Sequence, residues 1–144
     1  MSNPLRRMYE TVPSLEKDGV ILQYAPGVEI RVARAGGANK KFSRVMNSLS
    51  KPYRRAIQTE TLNDDIGIRL LIETYAKSII IGWTGITKDL ITKNDADSAE
   101  ELPFTEDNVI EVMTAQPNLF NDVVQMSQNI AMFRAETLEN DSGN

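Results

Sequence analysis

Cysteine and histidine are both absent from the 144 residues. Without cysteine, neither a disulfide framework nor a thiolate metal site can form. Without histidine, the commonest general base and the commonest zinc ligand are missing. Long apolar runs are missing too. Ile79–Ile80–Ile81 is far too short to cross a bilayer, and Arg69, Glu73 and Lys77 interrupt the wider window. Met1 to Glu10 holds Arg6 and Arg7, but no apolar h-region follows them, so no signal pattern is present. These absences predict a soluble, cytoplasmic chain with no membrane segment. Acidic residues are lacking between Arg31 and Gln58, where eight basic ones stand: Arg31, Arg34, Lys40, Lys41, Arg44, Lys51, Arg54 and Arg55. The carboxylates gather instead in Asn94 to Asn144, eleven against Arg134 alone, a balance of −10 within a chain of net charge −4. Such polarity favours head-to-tail contact between copies, or a partner meeting one end; the alternative is that the two regions face each other or water.

Hydrophobic content of 41% and charged content of 25% are those of an ordinary globular protein. A chain of this length reads as one domain that buries roughly two-thirds of its unfolded surface. The central stretch is Ile66 to Trp83. At helical spacing, Ile68, Leu71, Ile72, Tyr75, Ala76, Ile79 and Trp83 share one side, the pattern of a core-facing stripe. The other side carries Arg69, Glu73 and Lys77, but also Ile66, Leu70, Ile80 and Ile81. A helix apolar on two sides needs cover on two sides, from its own domain or from another copy, so those four residues are candidate self-association contacts.

Around it, Met1 to Lys17, with Pro4 and Pro13, reads as an irregular, flexible arm. Val28, Ile30 and Val32 alternate with Glu29, Arg31 and Ala33, as in a half-buried strand. Pro26–Gly27 suits a type II turn, which makes residues 20–34 a β-hairpin. Gly36–Gly37 leads into a helix from Asn39 to Ser50, with Phe42, Val45, Met46 and Leu49 on one face. Pro52 interrupts it and opens a shorter helix to Gln58. Asn63 or Asp64 caps the central helix, and Gly82–Trp83–Thr84–Gly85 stops it. Lys88 to Glu101 is a polar, acid-tipped loop. Thr105 opens a helix to Ala115, and Pro117 begins a last one reaching Glu139, with Leu119, Val123, Met126, Ile130 and Phe133 as its stripe. The reading is mainly α with an N-terminal β-hairpin (α+β), of about five helices. It divides into an arm over 1–17, one domain over 18–140 and a disordered tail over 141–144.

No motif carries chemistry. Asp95, Asp97 and Glu106 match calcium-loop positions, but Ala99 and Glu100 stand where an oxygen ligand and the turn glycine belong. Arg34-Ala-Gly-Gly-Ala lacks both phosphate-binding glycine fingerprints and reads as a strand-to-helix turn. Glu100 and Glu101 have no accompanying base, nucleophile or oxyanion device. The basic run 31–55, interleaved with Phe42 and Tyr53, raises nucleic-acid binding as a minor alternative, opposed by the low pI and by Phe42 falling on an apolar stripe. Tyr75 and Trp83 read as structural anchors. Met132 falls on the polar side of the last helix and is a contact candidate.

Several segments in order resemble the tail assembly chaperones of long-tailed bacteriophages and prophages. They are IRVARAGGANKKF, SLSKPYRRAI, ETYAKSIIIGWTGIT and the stretch from Leu102 to Asp141. The most specific pieces are the YAK…GW element (Tyr75, Ala76, Lys77, Gly82, Trp83), PFTEDN (Pro103 to Asn108), the P-x-L-F of Pro117 to Phe120, and FRAE (Phe133 to Glu136). The likeness covers residues 20 to 140 and departs at Lys88 to Leu102, where this chain has a longer acidic insertion. It implies a non-enzymatic protein without cofactor or metal, made in the host cytoplasm and absent from the mature virion. Such a protein self-associates, keeps the helical tape measure protein soluble, and yields it to the major tail tube protein. The alternatives are a structural tail or connector subunit, or a nucleic-acid binder acting through residues 31–55.

Overall fold

The computed structural model describes residues 3–92 and 98–137. Asp95 and Asp97 of the calcium-like pattern and the tail 141–144 lie outside the described residues. The fold is mainly α with a small antiparallel sheet (α+β), as the sequence predicts. Among the described residues there are seven α-helices and a three-stranded sheet in the order β1-β2-β3.

The expected irregular arm contains two short helices, α1 (Pro4–Tyr9) and α2 (Pro13–Asp18). Both have proline in the first turn, where its missing N–H is no loss. Helix α2 buries Leu15 and Glu16, and Glu16 pairs with Arg34. The strands β1 (Val20–Ala25) and β2 (Val28–Val32) form the expected hairpin, with Gly27 at φ +78 in the turn. Gly36 and Gly37 carry the chain into α3 (Lys40–Ser50) at positive φ. Gly37 also permits close packing, because a Cβ there would collide with the Glu16 carboxylate. After a 3₁₀ turn at Lys51–Tyr53 comes α4 (Arg54–Gln58), then α5 (Asp64–Ser78), capped by the Asn63 side chain.

The central element departs from expectation at its end. Helix α5 stops at Ser78, and Ile80–Thr84 is a third strand, β3, paired with β2. Three consecutive β-branched isoleucines favour a pleated surface over a helix. Asn39 secures the boundary, donating its amide to Ser78 O (3.1 Å) and Arg34 O (2.9 Å). A bulge at Ile81 follows, since Arg31 pairs with Gly82 while Val32 pairs with Ile80. Gly85, at φ +73, lets β3 end against the hairpin turn, where a Cβ would collide with Gly27 O.

Helix α6 (Glu106–Ala115) is capped by Thr105 as expected, and α7 (Pro117–Gln128) starts at its proline. Helix α7 is shorter than predicted. Asn129 turns extended and recaps a 3₁₀ turn, Ile130–Phe133, through its side chain and the Ala131 N–H. The core lies between the sheet and helices α5, α6 and α7, with Tyr75 at its centre. The Tyr75 ring meets Phe42 and Phe120 edge-on, at 5.9 and 5.4 Å between centroids, and its hydroxyl hydrogen-bonds Ser127 at 2.9 Å.

Candidate functional site

Helix α5 lies between α3 and α6, and its cover is incomplete at the amino end. Ile72, Tyr75 and Ala76 are buried, whereas Ile68, one turn earlier on the same stripe, is 55% exposed. Ile68 stands at the edge of that cover, beside Met113, Thr114 and Pro117 at the α6–α7 junction. A core assignment for Ile68 is therefore corrected. Beside it, Ile57 at the end of α4 is 44% exposed, and Leu62 and Leu71 are half-buried. Ile57, Leu62, Ile68 and Leu71 line one depression, rimmed by Glu60 and Asp64. Ile68 and Leu71 also line a second, with Met113, Pro117 and Phe120. The two depressions adjoin at Ile68 and Leu71, one at the α4–α5 junction and the other at the α6–α7 junction.

The rim has an unusual backbone. Glu60 is the one non-glycine residue at positive φ among the described residues (+56). It occupies the left-handed position of a Schellman turn that ends α4: Thr61 N–H donates to Ala56 O (2.8 Å) and Glu60 N–H to Ile57 O (3.2 Å). Glycine normally holds this place, so the sequence gives no sign of the motif. A carboxylate there stands at the groove edge instead.

The residues singled out from sequence do not form one surface. Ile66 and Leu70 are half-buried on α5, Ile80 is sealed under the sheet, and Ile81 is exposed at the bulge beside Gly19 and Arg31. Met132 lies in the 3₁₀ turn, half-buried against the core, and not on a helix face. Ile57 was not singled out, because its short helix has too few turns to show a stripe. Trp83 anchors the strand end: its indole N–H donates to Leu102 O (3.0 Å) and its ring meets Phe104 edge-on. Lys40, Lys41, Arg44, Lys51, Arg54 and Arg55 are all exposed along α3, the 3₁₀ turn and α4.

The electrostatics are structural in character. Burial, and then the bond donated to Asp122 (2.7 Å) and its charge, raise the Tyr24 phenol above its usual pKa. Burial also raises Tyr75, against the smaller opposite effect of Ser127. Lys77 is raised by its hydrogen bond to Glu106, which ties α5 to α6. Among the described residues no group of three or more acidic side chains is placed to hold a metal ion.

The family model described as YdaY prophage protein matches residues 37–144, three quarters of the chain. That span holds the whole groove. No curated protein and no solved structure matches.

Proposed function

The chain belongs to the YdaY prophage protein family, and from that premise we propose that it is a phage tail assembly chaperone, a self-associating, non-enzymatic carrier for the tape measure protein. The observation that carries this reading is the apolar groove at Ile57, Leu62, Ile68 and Leu71, left bare by the chain's own helices. A long helical client with apolar stripes aggregates when alone, and a groove between helices is the surface that accepts such a stripe. Beside it, Ile68, Leu71 and Pro117 line a second depression. The carrier acts in the host cytoplasm, gives up its client to the major tail tube protein, and is left out of the mature virion.

Co-expression with the tape measure protein tests this. The expected result is a soluble complex that co-purifies, and its loss when Ile57 and Ile68 are both changed to Asp. A tape measure protein that stays insoluble with the unaltered chain overturns the reading. Abundant chain in mass spectra of purified virions overturns it in favour of a structural tail subunit. The exposed basic strip on α3 and α4 favours a second reading, nucleic-acid binding, which predicts complexes in an electrophoretic shift assay that dissolve steeply with salt.

A further inference from the structure

Helix α3 is divided lengthwise by chemistry. At helical spacing Phe42, Val45, Met46 and Leu49 share one side, and Lys40, Lys41, Arg44, Asn47 and Ser48 share the other. The apolar side packs on α5, where Phe42 meets the Tyr75 ring edge-on at 5.9 Å. The other side is exposed along its whole length. Lys51 continues the cations through the 3₁₀ turn, and Arg54 and Arg55 carry them into α4. None of the six has an ion-pair partner among the described residues. No carboxylate stands between residues 31 and 58. Lys40 and Arg44 are four apart, a spacing at which like charges on a helix repel. A polyanion from outside the chain relieves that repulsion.

The make-up of the strip separates nucleic acid from an acidic protein as that polyanion. An interface between proteins centres on buried apolar side chains, with charge depleted there. Here charge occupies the centre, and Tyr53 is the one large hydrophobic side chain exposed between residues 40 and 55. A phosphate backbone needs no apolar centre, since its affinity comes from counterions displaced by lysine and arginine. Asn47 and Ser48 add uncharged donors of the kind that phosphate oxygens accept from. The Tyr53 ring, between Lys51 and Arg54, offers a platform on which a base can stack, and an unpaired strand leaves its bases free to do so. The eleven residues of α3 extend about 16 Å, the length of about five phosphates along one strand.

We propose that this side of α3 and α4 binds single-stranded nucleic acid without regard to sequence. Lys40, Lys41, Arg44, Lys51, Arg54 and Arg55 hold the phosphates, and Tyr53 stacks one base. The inference deepens the second reading given above and rests on it, naming the strand, the contacts and their place. It is independent of the carrier reading, whose groove lies at Ile57 and Ile68.

Fluorescence anisotropy of a short labelled DNA strand of mixed sequence, titrated with the full chain, tests this. Between about 50 and 200 mM salt, the logarithm of affinity should fall against that of salt with a slope of about −3 to −4, as about four to six contacted phosphates require. Arg54→Gln with Arg55→Gln should make the slope shallower by about 1.4. Tyr53→Ala should weaken strand binding about tenfold and leave duplex binding unchanged, while Tyr53→Phe binds as the unaltered chain does. Circular dichroism should show the variants folded, because all three side chains are exposed. RNA of the same sequence assigns the source: binding of either strand upholds the proposal, and the tighter one names it. A slope unmoved by the arginine pair, or a Tyr53→Ala loss equal for strand and duplex, overturns the proposal and leaves nucleic-acid binding elsewhere on the chain. No complex with DNA or RNA at about 50 mM salt removes both. A fall in solution mass on the arginine substitutions would then assign the strip to the acidic pole of another copy.

Discussion

At the scale of single residues, the fold depends on a few side chains that close polar contacts inside an apolar interior. Tyr75 and Ser127 are both buried and satisfy each other, while the Ser127 hydroxyl also donates to Val124 O (2.8 Å). Tyr75→Phe removes one partner, and a cost of about 1–2 kcal/mol is expected in denaturant unfolding. Gly85→Ala is expected to cost more, about 2–4 kcal/mol, because it combines positive φ with a Cβ driven into the Gly27 carbonyl. Glu60→Gly is expected to stabilise by about 0.5–1 kcal/mol in the same assay, since glycine relieves the left-handed backbone. The two tyrosines also tie stability to alkaline pH. Their pKa values are raised above the ordinary 10.0 in the folded state, so folding holds their protons more tightly than the unfolded chain does. Their contribution is complete below pH 10 and is lost as pH climbs beyond it. Melting temperature should therefore be level from neutral pH to about pH 10 and fall above it. Tyr24→Phe should soften that fall by removing the phenol held beside Asp122.

At the scale of elements, what was legible in the sequence follows from local rules strong enough to survive tertiary context. The hairpin came from alternation at Val28, Ile30 and Val32 with a Pro-Gly turn, and the caps at Asn63 and Thr105 from side chains that accept N–H bonds nearby. The boundary after Ser78 was not legible. Ile79 to Ile81 fits a buried helix stripe and a buried strand equally well, and only pairing with β2 decides between them. The end of α7 was hidden for a similar reason, because Phe133 is buried whether the chain reaches it by helix or by a 3₁₀ turn. The groove was half legible. The incomplete cover of the central helix was visible in its two apolar sides, but the exposed apolar residues are Ile57 and Ile68, whereas Ile66 and Leu70 are half-buried and Ile80 is sealed. That geometry gives a sharp expectation for Ile68→Asp. Exposed as it is, the change should alter stability by no more than about 0.5 kcal/mol, in contrast to any polar change at Ile72. Under the proposed carrier reading, solubilisation of the tape measure protein should nevertheless drop by about an order of magnitude. A large loss of stability from Ile68→Asp would show that the groove is closed core.

At the scale of the molecule, the separation of charge bears on how copies would approach one another if the chain self-associates as proposed. Six cations lie exposed along α3 and α4, whereas Glu100, Glu101, Glu106, Asp107 and Glu111 lie exposed on the loop and α6. Two copies meeting through like faces set cation against cation, and the repulsion acts over roughly 10 Å at 0.1 M ionic strength. Copies meeting head to tail set unlike faces together, and a head-to-tail contact does not close after two subunits. If copies associate as proposed, apolar contact supplies attraction that salt does not screen, while the two poles supply direction that it does. Sedimentation velocity should then show species growing past the dimer with concentration at about 20 mM salt, and smaller, more uniform species at about 500 mM, where the screening length shrinks to a few ångströms. Reversal of the strip by Arg54→Glu and Arg55→Glu should produce the small species even at low salt. A size distribution indifferent to both salt and reversal would mean that the poles only solvate the surface, and that apolar contact alone sets the order of assembly.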